Sequence, residues 1–450
     1  MTETSYDIVL IGSGPAGYAA AFGLRDAGFS VCIIEKGEIG GVCLNRGCIP
    51  AKFMISASRK FYDAKYMNRY GISTGDMKFD FSVFKKNQAG IISRLKKGLV
   101  LGFKNKDITV IKGTAGISDD KHVKVETDAG MQRIGFSKLI IASGSRPFVP
   151  LEWNNIQGVI NSETFWQINK LPKNIVIIGG GVIGCEYASC LSILGCNVVL
   201  IEKMDKLLSS EEPEVSENIY LELRKRNVDI YLGNEIKNIK NQDSKVVLSL
   251  SNEIEINADM AVVCIGRKRN YDKLGLELLG IKDFEKSFKQ DSLKLCENVY
   301  LAGDIAKGPQ LAHKGYYDAA IVVQNILEKK VTCDYTNVPI AVYTIPEISR
   351  VGLTEKEAVK KYDIVSKMMS YTKIGKAVVE YSTHGFIKII VQKKTNIVLG
   401  ITILGTSAAE LQGCSLLAVK NKMTVSTLAK TYFAHPTLSE IFQHAAKSSQ

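Results

Sequence analysis

The chain has 450 residues, 46% of them hydrophobic and 23% charged, with 38 Gly and only 10 Pro, which excludes a disordered or fibrous chain and gives room for roughly two to four folded domains. The formal charge of +12 raises nucleic acid as a partner, but the basic pairs Lys85-Lys86, Lys96-Lys97, Lys329-Lys330 and Lys393-Lys394 are scattered with no stacking aromatics between them, so no nucleic-acid partner is expected. No apolar run reaches the roughly 18 residues of a membrane span, the opening MTETSYD reads as neither a signal nor a transit peptide, and the ten dispersed cysteines read as thiols of a reducing compartment, so the expectation is a cytoplasmic protein.

Residues 7–11 are predicted to form an apolar strand that enters GSGPAGYAAAFGLRDAG, a Gly-rich turn opening a helix, followed by a strand at 31–34 closed by Glu35. Next comes GGVCLNRGCIPAK, then a stretch from 50 to 105 predicted helical with a Lys-rich second half, then a strand-rich segment, 107–147, ending in LIIASGSRP. A polar connector at 151–173 leads to a strand at 175–178, the turn and helix GGGVIGCEYASCLSILG, a strand at 198–201 and Glu202, and the unit closes at MAVVCIGRKRN. A third apolar strand carries VYLAGDIAKGPQLAHKG at 299–315. From about 337 the pattern changes to alternating strands at 386–391 and 398–404, a helix at 407–421 and another after Pro436, the signature of a separate α+β domain.

The two Gly-rich units superpose at one gapless offset of 167, pairing Gly12 with Gly179, Gly14 with Gly181, Gly17 with Gly184 and Glu35 with Glu202. A lone GxGxxG is a weak signal. Here each copy has a strand before it, a helix after it and an acid 18 residues past the third glycine, the context of dinucleotide binding. The first Gly permits a tight turn, the second lets a pyrophosphate approach the backbone, and the third lets helix pack on strand; the helix N-terminus offers free N–H groups to the phosphates. The acids accept from ribose hydroxyls and repel a 2′-phosphate, so both units are expected to prefer an unphosphorylated adenosine ribose.

Cys43 and Cys48 lie five positions apart. In a regular helix that spacing rises about 7.5 Å, beyond the usual 4.4–6.8 Å between bridged Cα atoms. A bridge therefore needs a distorted turn, for which Gly47 and Pro50 are suited. Such a strained pair is expected to be labile, with a depressed thiol pKa suited to exchange. A metal site would need a second Cys/His pair at ligand spacing, which is lacking. In FAHPTLSE, Glu440 on a helix begun near Pro436 is placed to orient His435 as a base; His122, His384 and His444 have no comparable setting.

On these motifs the sequence resembles the flavin-dependent pyridine nucleotide-disulfide oxidoreductases over residues 7–445, and most closely the branch that oxidises dihydrolipoamide. The resemblance implies an α/β fold of two Rossmann-like domains plus a C-terminal α+β dimerisation domain: 1–147 with 271–336 for FAD, 148–270 for NAD, and 337–450 for the dimer interface. It implies that Cys48 faces the flavin, that Cys43 meets the substrate, and that Lys52 lies beside the flavin and pairs with Glu186. Asp304 is implied to hold the ribityl chain and the backbone near Ala312 the ring, with Ala115, Ser143, Gly144 and Gly266 as further cofactor contacts. His435 and Glu440 are implied to come from the other subunit of a homodimer. The implied partners are lipoyl domains of 2-oxo acid dehydrogenase or glycine cleavage complexes. Glu202 favours NAD over NADP.

Val42, Arg46, Ser143 and the GRKRN turn depart from the family's commonest pattern. Arg46 matters most, because a cation between the thiols lowers their pKa or favours an anionic substrate. The alternatives are an NAD(P)H-dependent reductase of another disulfide or of a metal ion, and an idle flavoprotein scaffold. No cysteine follows Cys414 to form a C-terminal thiol pair, and Cys43, Cys48, His435 and Glu440 are all present.

Overall fold

The computed structural model describes residues 3–287 and 291–449. Its first sheet places Gly130–Ile141, Glu3–Ile11, Val31–Glu35 and Thr109–Lys112 side by side in parallel, with Val299–Leu301 parallel on the other side of Gly130–Ile141. Every residue of Val31–Glu35 is buried, as expected of a parallel strand covered on both faces, where the apolar run is continuous rather than alternating. Helix Pro15–Asp26 packs on this sheet beside Ala312–Ile326; Pro15 sits in its first turn, where a missing N–H costs nothing.

The second sheet repeats the design with Asp229–Tyr231, Asn197–Ile201, Asn174–Ile178, Met260–Val263 and Val159–Asn161, all parallel. Its outer strand Val159–Asn161 lies inside the stretch expected to be a polar connector; three residues are too short to show a period. The chain crosses between the two sheets on a ribbon in which Ser145–Pro147 pairs antiparallel with Arg267–Arg269. The third sheet is antiparallel, in the order Ile340–Val342, Glu347–Gly352, Val398–Gly405, Phe386–Gln392, Ile364–Ser370, and carries helices Ala408–Lys420, Val425–Lys430 and Glu440–Ser448.

The predicted helix over 50–105 is two helices. Cys48–Ala64 and Phe81–Asn105 are separated by a short 3₁₀ turn and by 71–80, where Gly71 and Gly75 adopt positive φ. Asp80 caps the second helix, accepting from the amides of Ser82 and Val83 at 2.8 and 3.0 Å. Met54 and Ile55 of the first share one core with Cys185, Tyr187 and Cys190 of the second nucleotide unit and with Val342 and Ile348 of the third sheet. That shared core brings the thiol helix to the junction of all three sheets.

Candidate active site

Gly12 and Gly179 turn with φ of 105° and 108°, and a Cβ on either would collide with the carbonyl of Ala142 or Cys264, on the strand alongside. Gly17 and Gly184 each lie against the carbonyl of the first glycine of their own turn, so helix and strand touch there. At Gly14 and Gly181 a side-chain methyl group would meet nothing within 4 Å, which leaves room for a phosphate. The acids are held in the same way in both copies. Glu35 accepts from the amides of Ser13 and Gly37 at 2.8 and 2.6 Å, and from the Ser13 hydroxyl at 2.7 Å. Glu202 accepts from the amides of Gly180 and Met204 at 2.5 and 2.8 Å. Each carboxylate is thus fixed in place by backbone donors beside its turn.

A cavity of about 980 Å³ opens from the first unit. Gly12, Gly14 and Glu35 line it at one end, Ala115, Ser143, Gly144, Asp304 and Ala312 along it, and Cys43, Cys48, Lys52 and Glu186 on its wall. Gly179, Gly181, Gly184, Glu202 and Gly266 lie outside its lining, as do Gly17, His435 and Glu440. Gly266 is the turn, at φ 127°, from which the crossing ribbon leaves the second unit.

Gly47 ends the short helix Gly41–Arg46 and the next begins at Cys48. This break is the distorted turn that the spacing requires, and it brings the two half-buried thiols into hydrogen-bonding contact. The pair is electrostatically unequal. The hydrogen bond from Cys43 and the Lys52 ammonium hold Cys48 below the usual thiol range despite its burial. That same hydrogen bond, with burial, pushes Cys43 up. The expected depression therefore falls on Cys48 alone, the thiol that stands nearer the thiolate.

Lys52 Nζ lies 2.9 and 3.1 Å from the two oxygens of Glu186 and 3.8 Å above the centre of the Tyr343 ring; the Tyr343 amide donates to Glu186 at 2.9 Å. Asp304 accepts from Ser145 Oγ at 2.6 Å. Behind its loop, Lys314 and Asp318 form a 2.8 Å ion pair with both side chains 0% exposed. Lys314 donates to the Gly303 carbonyl at 3.0 Å, and Asp318 accepts from the Gly303 amide at 2.9 Å and the Tyr335 hydroxyl at 2.7 Å. The pair clamps the turn on which Asp304 stands. His435 Nδ1 is 2.9 Å from Glu440, whose other oxygen accepts from the Thr437 amide at 2.9 Å. These contacts draw the Glu440 carboxyl below its ordinary range. The helix begins at Glu440 and not near Pro436, and the imidazole is 77% exposed in the single chain.

Sequence reasoning missed Tyr343, Ser145, Glu163 and Arg267. Arg267 donates to Ser145 Oγ at 2.7 Å and to Glu163 at 2.9 Å, and all four line the cavity. They come from four separate stretches with no shared period; only the placement of Arg267 and Ser145 on the two strands of one crossing ribbon links any of them.

Residues 6–319 match the family described as pyridine nucleotide-disulphide oxidoreductase, and residues 338–446 match that family's dimerisation domain. The chain belongs to this family. Among its relatives, a dihydrolipoyl dehydrogenase of Bacillus subtilis is 34% identical over 98% of this chain and 96% of its own. One from Geobacillus stearothermophilus is 32% identical over 99% and 96%. The HOCl-induced flavoprotein disulfide reductase of Escherichia coli, solved as a Cu(II) complex, superposes with a TM-score of 0.91 at 27% identity over the whole of both chains. The family's two nucleotides have matching cradles: a long cavity with a bare second glycine, an anchored acid and a buried carboxylate loop suits FAD, and the open second turn with Glu202 suits the pyridine nucleotide. Among the described residues, no helix is long and apolar enough to cross a membrane.

Proposed function

We propose that the protein oxidises dihydrolipoamide carried on lipoyl domains and passes the electrons to NAD⁺, working as a homodimer. The observation that carries this reading is the unequal thiol pair on the wall of the cavity that runs from the first nucleotide turn. Cys43 and Cys48 cycle between disulfide and dithiol. One substrate thiolate attacks Cys43, and Cys48 leaves as a thiolate, which Lys52 stabilises. The second substrate thiolate then attacks the substrate sulfur in the mixed disulfide, forming cyclic lipoamide and releasing Cys43. The substrate loses two electrons and two protons: the enzyme disulfide gains the electrons, and of the protons one ends on the released Cys43 and the other on the base.

His435 of the partner subunit receives the substrate proton, with Glu440 fixing its ring, a role for which an exposed imidazole already bonded to a carboxylate is suited. When bound, FAD would supply the two-electron and hydride chemistry that links the dithiol to NAD⁺. Gly12, Gly14, Glu35 and Asp304 would hold FAD, and Gly179, Gly181 and Glu202 the NAD.

Turnover settles the substrate. Purified protein is supplied with dihydrolipoamide and NAD⁺, and separately with NADH or NADPH against lipoamide, glutathione disulfide and Cu(II). The expected result is rapid turnover with the lipoamide couple and NAD(H). Turnover only with glutathione disulfide, or only with Cu(II), would replace this reading with one of a different reductase.

A further inference from the structure

Arg46 stands three residues beyond Cys43 on the helix Gly41–Arg46, a spacing that puts both side chains on one helix face. Both line the cavity. The Arg46 guanidinium, 43% exposed, lies 3.6 Å from the carboxylate of Glu163, which is 14% exposed. Glu163 is fixed from its other side: Arg267 donates to it at 2.9 Å, and its own amide donates to the Asn161 side chain at 2.9 Å. Glu38 also feels the Arg46 charge, but it is engaged by Lys96 at 2.6 Å. Lys52, the other cation at the thiols, is engaged by Glu186. Glu163 is therefore the carboxylate in contact with the cation that accompanies Cys43.

We propose that Glu163 masks Arg46 and so sets which substrate charge the Cys43 face accepts. With the mask in place, the charge that a dithiol meets at Arg46 is offset in part by the Glu163 carboxylate, which Arg267 shares. Without it, a dithiol of the same length ending in a carboxylate gains an attraction that its amide counterpart lacks. Arg46 thus acts as a specificity residue and Glu163 as its positioning partner. The substrate part of this inference rests on the dithiol oxidation proposed above.

The first experiment compares kcat/KM for dihydrolipoate with that for dihydrolipoamide on one enzyme preparation, for the wild type, Glu163→Gln, Arg46→Val and the double variant. Gln keeps the size of Glu and can still accept from Arg267. Taking the ratio cancels any loss common to both substrates. At low salt the ratio is expected to rise about three- to fivefold in Glu163→Gln, the scale of one partly exposed charge pair, and to shrink as salt is added. It should fall in Arg46→Val, where the carboxylate is left without that partner. The rise should vanish in the double variant. An unchanged ratio in Glu163→Gln, or a rise that survives in the double variant, would overturn the proposal.

A second readout does not depend on turnover or on the substrate. In the reduced protein, alkylation of Cys43 by iodoacetate relative to iodoacetamide should rise in Glu163→Gln and fall in Arg46→Val. If the wild type fails to oxidise dihydrolipoamide while this alkylation ratio moves as stated, the functional reading fails and the charge mask stands. If turnover is normal and neither ratio moves, the mask fails and the functional reading stands.

Discussion

The two Gly-rich units are alike down to individual hydrogen bonds. Gly12 N donates to Ile34 O and Gly179 N to Ile201 O, both at 2.8 Å, and the acid of each is anchored by the amides at the matching two positions. They differ in what closes around them. Gly12, Gly14 and the acid of the first line a cavity roofed by the Asp304 turn and the helix Ala312–Ile326, whereas their counterparts in the second do not. The helices diverge in the same sense: Ala19 of the first corresponds to Glu186 of the second, the acid that engages Lys52. The glycine pattern sets the frame, and the surroundings decide whether its nucleotide is enclosed or free to exchange.

Adding one methyl group at the matching open position tests this contrast most severely. Gly14 and Gly181 have φ of −68° and −75° with free space beyond, so Ala in either place leaves the fold intact and obstructs only the phosphate. Gly14→Ala should be purified largely without visible flavin absorbance. Gly181→Ala should keep its flavin and show a KM for NAD raised by at least about tenfold. Equal flavin loss in both would erase the distinction between the units.

The second unit is tied to the third sheet by charge. Lys388, 3% exposed, contacts Glu212, Glu214 and Glu355 at 3.0, 2.9 and 2.6 Å; burial draws its pKa down, and the three carboxylates outweigh that and raise it. Lys388→Met strands the buried Glu212 and should destabilise the protein by about 3–5 kcal/mol in denaturant unfolding, with flavin still bound in the folded fraction. Glu202→Gln should lower the preference for NAD over NADP by about tenfold in kcat/KM, ~1.4 kcal/mol, with no change in flavin content.

The smallest effect lies at the junction. Tyr343→Leu removes the ring over Lys52 and should raise the Cys48 pKa by less than ~1 unit, whereas Tyr343→Phe should not. Because Cys48 is held below the usual thiol range, its thiolate survives as pH falls past the point where ordinary thiolates protonate, and it disappears only through its own lower pKa. In Tyr343→Leu that loss should come at higher pH, read from the long-wavelength absorbance of the reduced protein.

The duplicated turns were legible because each relies on glycines and an acid at fixed spacing along the chain. The break at Gly47 was legible from geometry, since five-residue spacing cannot be bridged on a regular helix. The pairing of Lys52 with Glu186 came only from the resemblance: 134 residues separate them, and the shared core that joins them leaves no local period. Glu163 was hidden for the same reason, within a connector whose single strand has three residues. In the stretch 50–105, Gly71 and Gly75 were visible breakers, but the helical pattern on both sides outweighed them. The strands Glu347–Gly352 and Ile364–Ser370 escaped because they pair with partners further along the chain, Val398–Gly405 and Phe386–Gln392, and Ile340–Val342, which pairs with Glu347–Gly352, is only three residues long.

The central claim is that Cys48, and not Cys43, presents its thiolate to the flavin. Anaerobic titration with dihydrolipoamide, followed by visible absorbance, tests it most directly. The wild type should develop a long-wavelength band at two electrons per flavin, Cys43→Ser should show the band before any reductant is added, and Cys48→Ser should show none at any stage. A band in Cys48→Ser, or its absence from Cys43→Ser with flavin bound, would contradict the account.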